Sequence, residues 1–416
     1  MPFTSRLAGI LQFKSLENKP IIIVAVMSFF WTIFDGMLSF AAPILMTRNG
    51  LTESVMGIVL GTSSVAGIFF DLILCHVLKN TNFRRMYLLM IIFSSLFPLL
   101  LWQSKTIFLF ILAMSLWGLY YDFFSLGNFD FISRYVNKGN FSSSFGILSV
   151  FVTLGYFFSP IIAGFLIGEE ITAQFFLVSW ACLGLSGIFL FLLFFIFNRK
   201  DEKPGLMEQM PKKSFGFLKE LRLWKKIGNF ILPILFLTFF LNVIDAFYWT
   251  VGPLLSEKLN MDGERGVFMM TFLLPSLIAG WVVGKITKYF GKKRTAFISL
   301  ICGSLFLIGF VFIKNSFFLI IINLIASFFI ALSLPAINGA YADYISESPK
   351  LEKEIETLED SFTNLGYVVG PVAAGFISQY FGYTTSFSLL GVCGLIVGFI
   401  LFYFTPKKIN LKIKNF

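Results

Sequence analysis

The chain has 416 residues, of which 57% are hydrophobic and 13% charged, whereas a soluble domain is roughly 45–50% apolar and about 25% charged. These proportions exclude a soluble globular protein, and the expected fold class is an all-α integral membrane protein. A chain of this length holds about a dozen spans of ~20 residues, with connections too short to fold as domains, so any activity must reside in the helices.

Apolar runs occur in chain order at 20–46, 54–78, 84–103, 106–135, 142–167 and 171–197, then at 229–256, 264–289, 293–313, 317–346, 357–381 and 384–405. They are long and continuous, without the two-residue alternation of barrel strands, and only helices or closed barrels satisfy their backbone hydrogen bonds in lipid. The sequence therefore predicts twelve transmembrane helices. The divisions are an N-terminal six-helix bundle at 1–197, a cytoplasmic linker at 198–228 and a C-terminal six-helix bundle at 229–416. The polar start, MPFTSRLAGILQFKSLENKP, leads into a run too long for a signal peptide, so the first run is expected to stay as a span. Within the linker, Phe217, Leu218, Leu221 and Trp224 are set against Lys219, Arg222, Lys225 and Lys226, the pattern of an interfacial amphipathic helix.

With both termini in the cytoplasm, all but five of the 33 Lys and Arg residues fall on the cytoplasmic side; the five are Arg48, Lys105, Lys258, Arg265 and Lys314. That asymmetry sets orientation in a plasma membrane and accounts for the net charge of +10 without nucleic acid. Cys75, Cys182, Cys302 and Cys393 lie inside apolar stretches without paired spacing, which argues against disulfides and a zinc site. No metal or cofactor is expected.

An internal repeat organises the chain. IFDGMLSFAAPILM in the first span aligns with VIDAFYWTVGPLLS in the seventh, matching Asp35 to Asp245 and Pro43 to Pro253. LGYFFSPIIAGF in the fifth aligns with LGYVVGPVAAGF in the eleventh, pairing Gly155 with Gly366, Pro160 with Pro371 and Gly164 with Gly375. DFIS from Asp130 and DYIS from Asp343 match in the fourth and tenth. Equal helix counts give both halves one membrane orientation, a recognised transporter plan with the substrate between halves near the midplane.

Over essentially its whole length the chain resembles the major facilitator superfamily, in its twelve spans, its long central loop and its repeat. The family's loop motif, roughly Gly-x-x-x-Asp-Arg-x-Gly-Arg-Arg, is matched after the eighth span by GKITKYFGKKR, with Gly284, Gly291, Lys292, Lys293 and Arg294 in place but Lys288 at the acidic position. The pattern Gly-x-x-x-Gly-Pro-x-x-x-Gly is similar to the fifth-helix signature of the family's drug/proton antiporters. It is complete in the eleventh span at Gly366, Gly370, Pro371 and Gly375, and present in the fifth with Ser159 replacing one glycine. Small residues at this spacing also serve close helix packing, and proline a kink. The exporters' Arg before the conserved glycine of the fourth helix is missing, Met114 preceding Gly118.

A charge at bilayer depth costs at least ~2.5–3.5 kcal/mol, so each suggests function or pairing. Asp35, Asp122 and Asp245 lie about fifteen or sixteen residues into their spans, ~24 Å along a helix, and close to mid-depth. The resemblance implies that helices one, four, seven and ten line the cavity, and three of them carry these acids. Helical spacing adds Trp31, Ser39, Tyr121, Ser125, Asn242 and Trp249, with Asn338 and Tyr341 on the tenth. No Lys or Arg lies at that depth, which disfavours anionic substrates. The carboxylates could carry protons as water access alternates, or pair with a cationic substrate beside Trp31 and Trp249. Asp130 and Arg134 have the spacing of an intrahelical ion pair or a cytoplasmic gate. Asp71 reads as a packing or gate residue, and His76, the single histidine, as a solvated edge residue.

The sequence thus predicts a secondary transporter, proton-coupled, exporting amphipathic or cationic small molecules, and the resemblance implies that a monomer suffices. The alternatives are a proton-coupled importer of a neutral sugar or nucleoside, and a receptor or enzyme that keeps the fold without transport. The sequence has no nucleotide loop, nucleophile–base pair or metal spacing to favour the enzyme.

Overall fold

The computed structural model describes residues 19–77, 82–136, 141–196, 217–259, 265–347 and 351–405. They form α1 (Lys19–Arg48), α2 (Glu53–Val77), α3 (Phe83–Gln103), α4 (Ile107–Tyr135), α5 (Phe141–Leu166) and α6 (Ala173–Ile196), then α7 (Phe217–Lys258), α8 (Val267–Phe290), α9 (Lys292–Ile308, continued by a 3-10 turn at Gly309–Phe312), α10 (Ser316–Glu347), α11 (Glu352–Phe381) and α12 (Tyr383–Phe404). Eleven of the twelve are long and apolar enough to cross a membrane on composition alone. The other, α11, carries Asn364 and Gln379 within its apolar part and the acidic run from Glu352 in its first turns. It nonetheless packs along α7 and α2.

One boundary differs from expectation. Residues 217–228, expected in the linker, form the first turns of α7, a single helix of 42 residues. The side chains that suggested an interfacial amphipathic helix, and residues 198–216, lie outside the described residues.

Local chemistry places the helix ends. Asn82 accepts the amide of Arg84 ahead of α3, Thr106 that of Leu109 in α4, and Asn315 that of Phe317 in α10, each satisfying a donor that the first turn leaves open. The turns between α8 and α9 and between α11 and α12 are made by Gly291 (φ 82°) and Gly382 (φ 78°), a backbone region in which a Cβ is strained. Inside the spans, Thr32, Ser39, Thr250 and Ser256 return their hydroxyls to carbonyls four residues earlier, so none needs water.

Packing reproduces the repeat. α1 packs on α5 and α6 as α7 does on α11 and α12; α4 packs on α2 and α3 as α10 does on α8 and α9. The α1–α5 contact is close because Gly155 lies against the Phe29 carbonyl, which an added Cβ would approach to 2.6 Å; Gly366 lies likewise against the Phe239 carbonyl, at 2.7 Å. Phe29 and Phe239 are themselves repeat mates, 210 residues apart.

The halves meet through α2–α11, α5–α8 and α1–α7. In the first pair the Pro371 carbonyl fills the place of a side chain at Gly57, and in the second the Pro160 carbonyl does so at Gly266; Gly375 and Gly164 press on the same segments. At the end that bears the turn after α1, polar contacts join the halves. Arg48 pairs with Glu257, Arg265 donates to the carbonyls of Ile167 (2.9 Å) and Gly168 (2.7 Å), the Ser54 amide donates to Gln379 (3.0 Å), and Tyr383 donates to Glu53 (3.1 Å). Toward the other end α4 and α10 form no comparable interface, and Ser125 and Asn338 on those helices are exposed. Among the described residues the halves are joined at one end and parted at the other.

Candidate functional site

Asp35 sits midway along α1 and is 1% exposed. Its Oδ1 accepts hydrogen bonds from the Trp117 indole (2.9 Å) and the Tyr120 hydroxyl (2.7 Å) on α4, and its Oδ2 accepts from the Tyr156 hydroxyl on α5 (2.8 Å). All three donors are neutral. Hydrogen bonds of this kind offset the cost of taking a carboxylate out of water. They also leave a place for a proton, because each tyrosine hydroxyl can accept as well as donate, whereas the indole only donates. Both protonation states of Asp35 find partners in one geometry.

Asp245 occupies the matching place on α7, and Tyr367 on α11 donates to its Oδ2 (2.7 Å). Tyr156 and Tyr367 are repeat mates, the third residues of LGYFFSP and LGYVVGP. Asp245 is half-buried, and among the described residues Tyr367 is its one hydrogen-bond donor. One turn on, Trp249 meets the Tyr156 ring edge-on across the interface between halves, centroids 5.8 Å apart. Tyr121 on α4 is 44% exposed and its ring lies 6.0 Å from that of Trp31, centre to centre. Asp122 is half-buried, its carboxylate beside Gly67 of α2.

The other residues expected around them divide. Ser125 and Asn338 are exposed toward the parted end, and Asn242 is half-buried, its amide donating to the Thr238 carbonyl (2.8 Å) and to Thr363 (3.4 Å). Trp31, Ser39 and Tyr341, expected on the cavity wall, are buried instead, because partners within each bundle take their polar atoms. The Trp31 indole donates to Ser94 (3.1 Å) and its ring stacks on Phe124, centroids 3.9 Å apart. Ser39 bonds the Asp35 carbonyl, and Tyr341 bonds Thr238 (2.9 Å).

The motif residues hold helices together. Asp130 accepts from the Phe83 amide at the start of α3 (2.7 Å) and from Arg134 (2.7 Å), in a pair only 2–4% exposed. Its repeat mate Asp343 pairs with Lys292 at the start of α9 (2.5 Å), and the Lys293 ammonium lies 4.9 Å from the Tyr344 ring centre. Gly370 abuts Ala246 of α7, whereas Gly284 and Arg294 are exposed. The side chains of Asp71 and His76 lie outside the described residues.

Sequence reasoning missed the donors around the aspartates. Tyr156 and Tyr367 were signalled, since both lie inside the repeated motif; Trp117 and Tyr120 had no such mark. It also missed Arg48 and Glu257, whose pairing depends on how the halves are seated.

Comparison with known proteins agrees with this architecture. The sequence profile of the Major Facilitator Superfamily matches residues 23–351 and 235–415. A stretch of 152 residues is 24% identical to the uncharacterized MFS-type transporter YfiS of Bacillus subtilis (strain 168), over 36% of this chain and 36% of that one. Among solved structures, the nucleoside transporter NupG superposes with a TM-score of 0.76 at 14% identity, over 94% of this chain and 100% of that one. A bacterial homologue of the human lysosomal transporter Spinster, inward-facing and unoccupied, gives 0.72 at 12% identity, over 93% and 96%. The peptide transporter POT gives 0.69 at 12% identity, over 94% and 94%. At such identities the likeness is one of fold. With most of its length matched by the family profile, the chain belongs to the major facilitator superfamily, a family of secondary transporters and not of enzymes.

Proposed function

We propose that this transporter couples proton movement to the export of small amphipathic or cationic molecules, with Asp35 as the proton-carrying group. The observation that carries this reading is a carboxylate sealed at mid-depth, held by three neutral donors that serve both of its protonation states. An acid without a basic partner inside a membrane is retained for a purpose that offsets its cost. The three aspartates give the centre an acidic character that favours cations over anions. With both termini in the cytoplasm, the parted end faces inward, so the described conformation receives substrate from the cytoplasm. Rocking of the halves about the α2–α11 and α5–α8 contacts then exposes the site to the other side.

The test is transport in proteoliposomes, with ethidium as the cation. Its movement is expected to follow an imposed pH gradient, to collapse with a protonophore, and to be lost in Asp35→Asn. Movement indifferent to the gradient, or an Asp35→Asn variant still driven by it, would exclude the reading.

A further inference from the structure

The repeat places the same acid twice, and the two copies are left in different states. Asp35 has both oxygens engaged by three donors and is almost wholly covered. Asp245 has one oxygen held by Tyr367 and a side chain that is half-buried, not sealed. Its surroundings are aromatic. Trp249 follows on the same helix face one turn on, is half-exposed, and meets the Tyr156 ring of the opposite half, centroids 5.8 Å apart.

We infer that Asp245, with Trp249, forms the subsite that receives the positive group of the substrate, an organic cation with aromatic or other apolar substituents, while Asp35 does not touch it. This rests on the reading of the protein as a carrier of cations. A half-buried carboxylate, with one oxygen not engaged by any donor among the described residues, attracts a cation more strongly than in bulk water, and the face of Trp249 adds its own attraction. Asp35 is almost wholly covered, and its Oδ2 is held by the hydroxyl of Tyr156, whose ring meets Trp249. The Tyr367 bond orients the Asp245 carboxylate without using its second oxygen. Two copies of one residue thus serve two ligands, the proton on α1 and the cation on α7.

Binding to the full-length protein in detergent tests this, with tetraphenylphosphonium as the cation and triphenylphosphine oxide as a neutral molecule of similar shape. The unaltered protein is expected to prefer the cation. Asp245→Asn should weaken cation binding about tenfold or more while leaving the oxide unaffected, as expected for the loss of one close charge and nothing else. Asp245→Glu should stay within about threefold of the parent, because the charge is kept. Each variant is first shown to run as a single species with a sharp thermal transition. Unchanged cation affinity in Asp245→Asn overturns the subsite while leaving a cation carrier intact. A parent protein that does not distinguish the cation from the oxide overturns the cation reading and the subsite together.

Discussion

The two halves hold two pairs of matching acids and bury them unequally. In the N-terminal half, Asp35 has three donors and Asp130 has the Phe83 amide and Arg134 in a pair 2–4% exposed. In the C-terminal half, Asp245 has Tyr367, and Asp343 has Lys292 in a pair 38–43% exposed. The same helix pairs pack in both halves, with Gly155 on Phe29 and Gly366 on Phe239. The repeat has therefore kept its helix contacts and let its charges diverge. The N-terminal half closes around its acids, and the C-terminal half leaves its acids partly exposed.

The largest expected effect lies at the lower pair. Removing one partner from a buried ion pair strands the other, at about 3–5 kcal/mol, whereas an exposed pair is worth about 0–1 kcal/mol. Asp130→Ala should therefore lower the thermal transition in detergent sharply and Asp343→Ala hardly at all; equal losses would erase the distinction between the halves. Next come the tyrosines. A hydrogen bond to a charged group contributes about 1.5–3 kcal/mol, and Tyr156→Phe takes it from a sealed carboxylate. We expect it to destabilise the protein more than Tyr367→Phe, by the same melting measurement, with the reverse order contradicting the account.

Between the halves, Gly57→Val sets a branched side chain against the Pro371 carbonyl, and overpacking of this kind costs about 1–3 kcal/mol. Since that contact belongs to the closed end, distances between spin labels placed on α1 and α7 at that end should lengthen. The smallest effect is expected at the Arg48–Glu257 pair, whose side chains are 24% and 30% exposed. Surface pairs are worth about 0.2–1 kcal/mol, so Glu257→Gln should raise the population open at that end by a few-fold at most, read from the same labels.

Much of the fold was legible because the bilayer demands it. Twelve apolar runs and a repeat at a nearly constant offset require no knowledge of packing. The stretch from Phe217 to Lys226 reads as an amphipathic helix of its own, and Gly228 after it reads as a break, so the sequence does not mark that one helix runs unbroken into the span. At the site, Asp35 and Asp245 announced themselves as charges at depth, but their partners did not. Which side of α4 turns Trp117 and Tyr120 toward α1 is decided by helix rotation, which a uniformly apolar helix does not encode. Trp31 was misleading for the same reason: one turn from Asp35, it faces Ser94 and Phe124 inside the bundle. Tyr156 and Tyr367 were visible within the repeated motif, where the glycines and prolines around them explained the conservation of spacing between halves without them.

The most direct test of the central claim is proton flux through the protein. Proteoliposomes enclosing a pH dye, with ethidium added on one side, report whether substrate movement drives protons the other way. The account predicts a pH change in vesicles bearing the parent protein and none in vesicles bearing Asp35→Asn at matched protein content. A pH change that persists in Asp35→Asn would take the proton away from α1, and with it the division of labour between the halves.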